Sequence, residues 1–295
     1  MNNMHEIEIK QKARFEFGAN WVQFLSVLND HRIEEAKSSL CRMLNVESLE
    51  GKTLVDVGSG SGLFSLAARL LGAQVHSFDY DPQSVACTAE LKRRYFAEDA
   101  DWVVQKGSVL DREYLRSLGE FDVVYSWGVL HHTGHMREAL ENVTPLVRNG
   151  GSLFIAIYNK QQFFSIYWTV VKKLYIRSGW LVKRLLNYVF FSFFVSELFI
   201  ADVLRRKNPA LRYSGAGKRG MSVYYDTIDW IGGWPFEVAT PEELFRFFRD
   251  RGFVLSELVT CGGKLGCNQF VFKRVDYVEQ PTPAVIDSLS SRQAT

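Results

Sequence analysis

Residues 54–64, Leu-Val-Asp-Val-Gly-Ser-Gly-Ser-Gly-Leu-Phe, constrain the fold of this chain more than any other stretch. An apolar run ending in an acid, Asp56, reads as a strand. Gly58, Gly60 and Gly62 then alternate through a tight loop, and an amphipathic helix pattern follows from Leu63. Alternate glycines let the backbone approach a ligand with no Cβ in the way, and the helix offers unpaired N–H groups at its start. Such a turn suits a cofactor. The dinucleotide spacing G-x-G-x-x-G fails, because it would need glycine where Leu63 stands.

The pattern repeats downstream. A helix over 63–71 is stopped by Gly72, and Gln74 to Asp79 alternates as a strand that ends in an acid 21 residues after Gly58. A carboxylate at a strand tip can accept hydrogen bonds from both hydroxyls of a ribose, whereas Asp81 followed by Pro82 reads as an N-cap. Strands are predicted over 102–105, 121–126 and 152–157, with a helix over 136–147 and the turn Asn149-Gly150-Gly151 before the last of them. Near the end, Thr240-Pro241-Glu242-Glu243 is a capping box that opens a helix over 242–251, and strands over 253–259 and 269–273 flank a glycine-rich turn.

The sequence D-x-G-x-G-x-G from Asp56 to Gly62, Asp79 at its interval, and Val129-Leu130-His131-His132 followed by a helix and N-G-G-S-L together resemble the class I S-adenosylmethionine (SAM)-dependent methyltransferases. Within them the wording is similar to the ubiquinone and menaquinone methyltransferases and their small-molecule relatives, over about Gly51 to Tyr158. The resemblance implies an α/β doubly wound, Rossmann-like sheet of seven strands, six parallel and the last antiparallel, with SAM as cofactor. It carries the cofactor contacts onto Asp56, Gly58, Ser59, Gly60, Gly62, Asp79, Tyr80, Ser108, Val109 and Trp127. Many family members carry an acid for the adenine amino group where this chain has Ser108, with Asp111 three residues on. In-line methyl transfer needs no metal but benefits from a base when the acceptor is a hydroxyl. His131 and His132, just past the fourth strand, are the candidates.

Five segments are expected: an N-terminal helical cap over 1–50, a SAM-binding core over 51–159, a helical insertion over 160–238, the closing helix and hairpin of the core over 239–275, and a loose tail over 276–295. The net charge of +2 hides segregation: residues 161–220 hold eleven Lys and Arg against Glu197 and Asp202, a net +9 that leaves −7 elsewhere. In the insertion Phe163, Ile166, Tyr167, Val170, Val171 and Leu174 make one helical stripe, with Lys172, Lys173 and Arg177 off it, and residues 185–196 form an uncharged, Phe-rich run. Twelve residues are too few to span a bilayer, which takes ~20. The insertion is therefore a lid, a homodimer contact or a peripheral membrane contact, the last through its basic charge.

Candidate acceptor contacts are Trp21, Tyr158, Asn159, Tyr224, Tyr225 and Trp230. The acceptor is expected to be a small molecule, glycan or lipid-linked precursor methylated on oxygen. The alternatives are a tRNA wobble nucleoside, with the basic insertion holding RNA, or a non-catalytic SAM-binding partner subunit. Four scattered cysteines and a polar, charged N-terminus without an apolar h-region give the expectation of a cytoplasmic protein, at most at the inner face of a membrane.

Overall fold

The computed structural model describes residues 4–18, 21, 25, 26, 28–204 and 223–275. Helices α1 (Met4–Lys10) and α2 (Asp30–Leu44) precede β1 (Thr53–Val57), α3 (Leu63–Leu70), β2 (Gln74–Asp79), α4 (Pro82–Tyr95), β3 (Trp102–Lys106), α5 (Arg112–Leu118) and β4 (Phe121–Trp127). A 3-10 turn (Leu130–His132), α6 (Met136–Val143) and β5 (Val147–Tyr158) follow. Then come α7 (Phe163–Arg177), α8 (Trp180–Leu204) and α9 (Val223–Gly232), and α10 (Pro241–Arg249), β6 (Phe253–Val259) and β7 (Cys267–Arg274) close the core.

The strands form one sheet in the order β3-β2-β1-β4-β5-β7-β6. The first five strands pair in parallel, and β7 runs antiparallel to both β5 and β6. Six strands thus share one direction and β7 alone opposes them, as the resemblance implied. Alternation along each strand splits the core into two layers. Val55, Val57, Val124, Ile155 and Phe270 face α5, α6 and α10, whereas Leu54, Val75, Tyr125, Phe154 and Val271 face α2, α3 and α4. Strand order reverses between β1 and β4, which places a ligand crevice at the carboxyl ends of those strands.

Two boundaries move. The helix after His135 stops at Val143 because Pro145 follows in a 3-10 turn, and β5 begins at Val147, five residues earlier than predicted, with its register shifting around the Gly150-Gly151 turn. The capping box forms as expected: Glu243 N–H donates to Thr240 Oγ1 and the Glu243 carboxylate accepts from Thr240 N–H.

The insertion leaves and returns at one point. Ala239 N–H donates to the Tyr158 carbonyl at 3.0 Å and Lys160 N–H to the Ala239 carbonyl at 3.1 Å. Between these ends α7, α8 and α9 build a small core of Trp168, Val171, Tyr175 and Ile231, joined by Phe190, Phe194 and Trp230. The predicted stripe is turned the other way. Of its six residues only Val171 is buried, while Ile166 (66%), Val170 (60%) and Leu174 (53%) face outward and Lys172 is fully enclosed. The Phe-rich run is likewise split, with Phe190 and Phe194 inside and Phe193 outside. Among the described residues no helix is long and apolar enough to cross a membrane. The tail over 276–295, the basic stretch 205–219 and the side chains of Tyr224 and Tyr225 lie outside the described residues.

Candidate active site

The glycine loop is stitched to the tip of β2. Gly58 and Ser59 N–H donate to the Phe78 carbonyl at 2.9 and 3.1 Å, and Gly60 N–H donates to Asp79 Oδ2 at 2.9 Å. Gly58, Gly60 and Gly62 take φ of +80°, +54° and +79°, where side chains are rarely tolerated. A Cβ on Gly58 would lie 2.4 Å from Val129 Cγ1 and one on Gly62 2.8 Å from Thr88 Cα, so these two serve packing inside the fold. At Gly60 a Cβ would lie 3.2 Å from the Trp21 indole, so the missing side chain lets Trp21 pack down on the loop.

Behind the loop runs a buried chain of donors. Trp102 Nε1–H donates to Ser77 Oγ at 2.9 Å, Ser77 to Ser65 Oγ at 2.7 Å, and Ser65 to Asp56 Oδ2 at 2.5 Å. It ties β3, β2 and α3 to the end of β1 and fixes the entry into the loop. Burial pushes the Asp56 carboxyl up to about 7 against the Ser65 hydrogen bond, with the Asp79 charge adding to the rise. Asp79 accepts from Asp81 N–H through Oδ1 as well as from Gly60, and burial still lifts it to about 6. Asp81 N-caps α4 through Gln83 N–H, as expected, and its other oxygen accepts from Gly18 N–H at 2.8 Å, which anchors the N-terminal segment over this edge.

A second cluster stands beside the loop, past the ends of β4 and β5. The His131 and Tyr158 rings lie 4.0 Å apart and the two histidine rings 4.5 Å, with Phe17 4.9 Å from His132 and Trp230 5.1 Å from Tyr158. His132 Nδ1–H donates to the Pro235 carbonyl at 2.6 Å, which leaves Nε2 as the basic nitrogen of the neutral ring. Burial, then the charge of Lys172, holds His132 down at about 3, and burial, then His132 and Lys172, hold His131 well below the usual histidine range. Both are neutral imidazoles at physiological pH. Arg14 Nη1 donates to the His132 carbonyl at 2.9 Å and Phe15 N–H to the Trp234 carbonyl at 2.9 Å, so the N-terminal segment also closes this side.

A family model described as a methyltransferase domain matches residues 55–153. A ubiquinone biosynthesis O-methyltransferase of Methylobacterium sp. (strain 4-46) is 28% identical over 166 residues, 52% of this chain and 65% of that protein. A ribosomal protein L11 methyltransferase of Methylococcus capsulatus is 40% identical over 76 residues, 25% of this chain and 26% of that protein. Among solved structures, a chain of the Haloferax volcanii complex between the Trm112 methyltransferase activator and a methyltransferase superposes with a TM-score of 0.52 at 15% identity, over 91% of this chain and all of that one, a likeness of fold. The domain is that of a class I SAM-dependent methyltransferase. The chain spans less than two thirds of the length of these curated relatives.

The loop of this methyltransferase domain fits SAM by its chemistry. Asp56, buried, and Asp79, partly buried, are both raised by burial, Asp56 further by the charge of Asp79 and Asp79 by that of Asp81, and a cofactor bearing an ammonium and a sulfonium offsets that negative charge. The other sequence candidates divide. Ser59 Oγ is shared with Thr88 Oγ1 at 2.9 Å, Tyr80 stacks under Arg14 at 5.1 Å, and Ser108 Oγ accepts from Leu110 N–H. Val109 is buried with its carbonyl taken by Asn142, and Asp111 N-caps α5. Trp127 turns its indole to Gln269 on β7 at 3.2 Å.

Of the acceptor candidates, Tyr158 and Trp230 join the histidines, whereas Trp21 lies over the glycine loop. Asn159 does not: its Oδ1 accepts from Asn268 at 3.0 Å and its N–H is held by Gly266, so it secures the β6–β7 turn. Sequence reasoning missed Lys172, Phe17 and Phe236 in the cluster. A lysine in the middle of an apolar helix was the one available signal. A cleft of about 390 Å³ lined by Arg116, Glu120 and Asn142 lies at the amino ends of β4 and β5, opposite the glycine loop, and holds none of the candidates.

Proposed function

We propose that this chain transfers the methyl group of SAM to a hydroxyl oxygen of a small acceptor, apolar or lipid-linked, with His132 as general base. One observation carries this: a neutral imidazole, its tautomer fixed by Pro235, stands in an aromatic cluster next to the cofactor loop. When bound, SAM supplies an electrophilic methyl on its sulfonium and departs as a neutral thioether with the electron pair of the broken bond. Asp79 and the Gly60 backbone would hold the cofactor, with Asp56 setting the loop and Trp21 covering it. Tyr158, Trp230 and Phe17 would align the acceptor, and holding two reactants in line supplies up to ~7–11 kcal/mol in favourable cases. His132 Nε2 takes the hydroxyl proton as the oxygen's electron pair forms the new bond to carbon.

The outer face of the insertion supports the lipid part. Ile166, Val170 and Leu174 on α7 and Leu185, Tyr188 and Phe193 on α8 are exposed, flanked by exposed Lys173, Arg177 and Arg184. Basic helices with bulky apolar faces partition to anionic lipid surfaces. The relatives named for O-methylation in ubiquinone biosynthesis agree with an O-acceptor. The test is transfer of tritium from methyl-labelled SAM into alkylphenols, alkyl glycosides and transfer RNA, beside calorimetry of SAM binding. Label in a hydroxylated lipid-like acceptor is expected. Label in RNA alone would replace this proposal with nucleoside methylation, and SAM binding without transfer would leave a partner subunit.

A further inference from the structure

The turn between α7 and α8 gathers positive charge from three segments. Lys12, two residues past α1, donates through Nζ to the Arg177 carbonyl at 2.9 Å. Burial, then the charge of Lys12, lowers the pKa of Lys183. Lys173 stands one turn before Arg177, over the Trp234 ring at 5.1 Å, and Arg184 follows Lys183 on α8. Among the described residues no carboxylate forms an ion pair with any of these five. Beside them Trp180 and Leu181 are 68% and 64% exposed, and the exposed Leu185 and Tyr188 continue the apolar face. Like charges within a Debye length of one another repel, and an exposed indole among cations suits the headgroup boundary of an anionic bilayer. A second copy paired by two-fold symmetry would carry the same positive patch into the contact, and a nucleic acid would leave the apolar side chains in water.

Lys12 also begins the N-terminal segment that covers the site. It takes φ of +56°, which lysine rarely adopts, so the chain leaves α1 at some cost in strain. Arg14 then holds the His132 carbonyl, Phe15 that of Trp234, and Gly18 the Asp81 carboxylate. We propose that an anionic lipid surface binds the α7–α8 turn and, by neutralising its cations, fastens Lys12 to Arg177 and closes the N-terminal segment over the active site. The inference rests on the lipid-acceptor reading and adds its regulation, since the enzyme then closes at the surface where its acceptor lies. In water the contact of Lys12 with the Arg177 carbonyl forms against the charges of Arg177 and Lys183, and lipid phosphates remove that opposition.

The experiment follows amide hydrogen exchange at Phe15 and Gly18 in the full chain, free and with vesicles of phosphatidylglycerol or of phosphatidylcholine. Sedimentation with the anionic vesicles alone is expected, and exchange at both amides should slow about tenfold in the bound protein. Lys12→Gln and Arg184→Gln should each weaken binding about fivefold, the effect of one cation near an anionic surface, but only Lys12→Gln should abolish the slowing. No binding to the anionic vesicles, equal binding to the neutral ones, unslowed exchange in the bound wild type, slowing that survives in Lys12→Gln, or equal slowing by transfer RNA would overturn the inference. Tritium transfer from SAM on the same preparations separates the failures: label in a lipid-like acceptor with unslowed exchange removes the regulation alone, and label only in RNA removes the acceptor reading and the regulation with it.

Discussion

At the glycine loop the hydrogen bonds that set the turn join neighbours in sequence or on adjacent strands: Gly60 to Asp79, Gly58 to Phe78, Ser65 to Asp56. At the aromatic cluster Phe17, His131, His132, Tyr158, Lys172, Trp230 and Phe236 arrive from five separate segments. The loop is mostly backbone and glycine, held by the geometry of one βαβ unit. The cluster is side chains, held by what the insertion happens to pack against. Cofactor chemistry is thus tied to the sheet, and acceptor chemistry to an element that can change without disturbing it.

The sharpest way to break this division is His132→Asn. Turnover should fall by about 10² to 10⁴ while SAM affinity is kept, because the residue belongs only to the acceptor side. Full single-turnover rates in the variant would move the base to another group. Next in size is Gly58→Ala, which forces a side chain into φ of +80° and against Val129 at 2.4 Å. Left-handed strain of about 1–2 kcal/mol plus overpacking of about 1–3 kcal/mol should appear as lost stability in urea denaturation, and Val129→Ala should restore the packing part alone.

Asp79→Asn should weaken SAM by about 1.5–3 kcal/mol, the worth of hydrogen bonds to a charged group. Its pH signature has a definite sign. The folded carboxyl sits at about 6, above its ordinary 3.8, so its contribution to stability is complete below 3.8 and is lost as pH rises through about 6. The variant should flatten that fall in the melting temperature of the cofactor-free protein, while wild-type SAM affinity rises over the same window. The smallest effect belongs to the outer face of the insertion. Ile166→Ser and Leu185→Ser should change stability by less than about 0.5 kcal/mol yet weaken sedimentation with anionic vesicles, more so at low salt. Indifference to vesicles, with a dimer mass in light scattering that the variants reduce, would give that face to a second copy instead.

The same contrast decides what was legible in the sequence. Strand and helix periods, the glycine spacing and the acid after β2 are local signals, and the number and direction of the strands came from the family resemblance that those signals carry. The two histidines were placed correctly relative to β4, but nothing local says that His132 is oriented by Pro235, 103 residues away. Hydrophobic periodicity misled on α7 because it assumes that the apolar stripe is the buried one. Here the inward face pairs Trp168, Val171 and Tyr175 with a lysine, and the apolar stripe is left outside. Nor does anything local say that Asn159, placed at the end of β5, has its side-chain oxygen bonded to Asn268 of the neighbouring strand β7.

The N-terminal segment touches both halves. Gly18 is tied to Asp81 beside the cofactor loop, while Arg14 and Phe15 are tied to His132 and Trp234 beside the acceptor cluster. A strap fastened at two sites links them, and such linkage is reciprocal: whatever one ligand does to tighten or loosen the strap is returned, with equal free energy, in the affinity for the other. Under the proposed function, the segment that brings Phe17 into the aromatic cluster and leads to Trp21 over the glycine loop would act as a common latch for cofactor and acceptor.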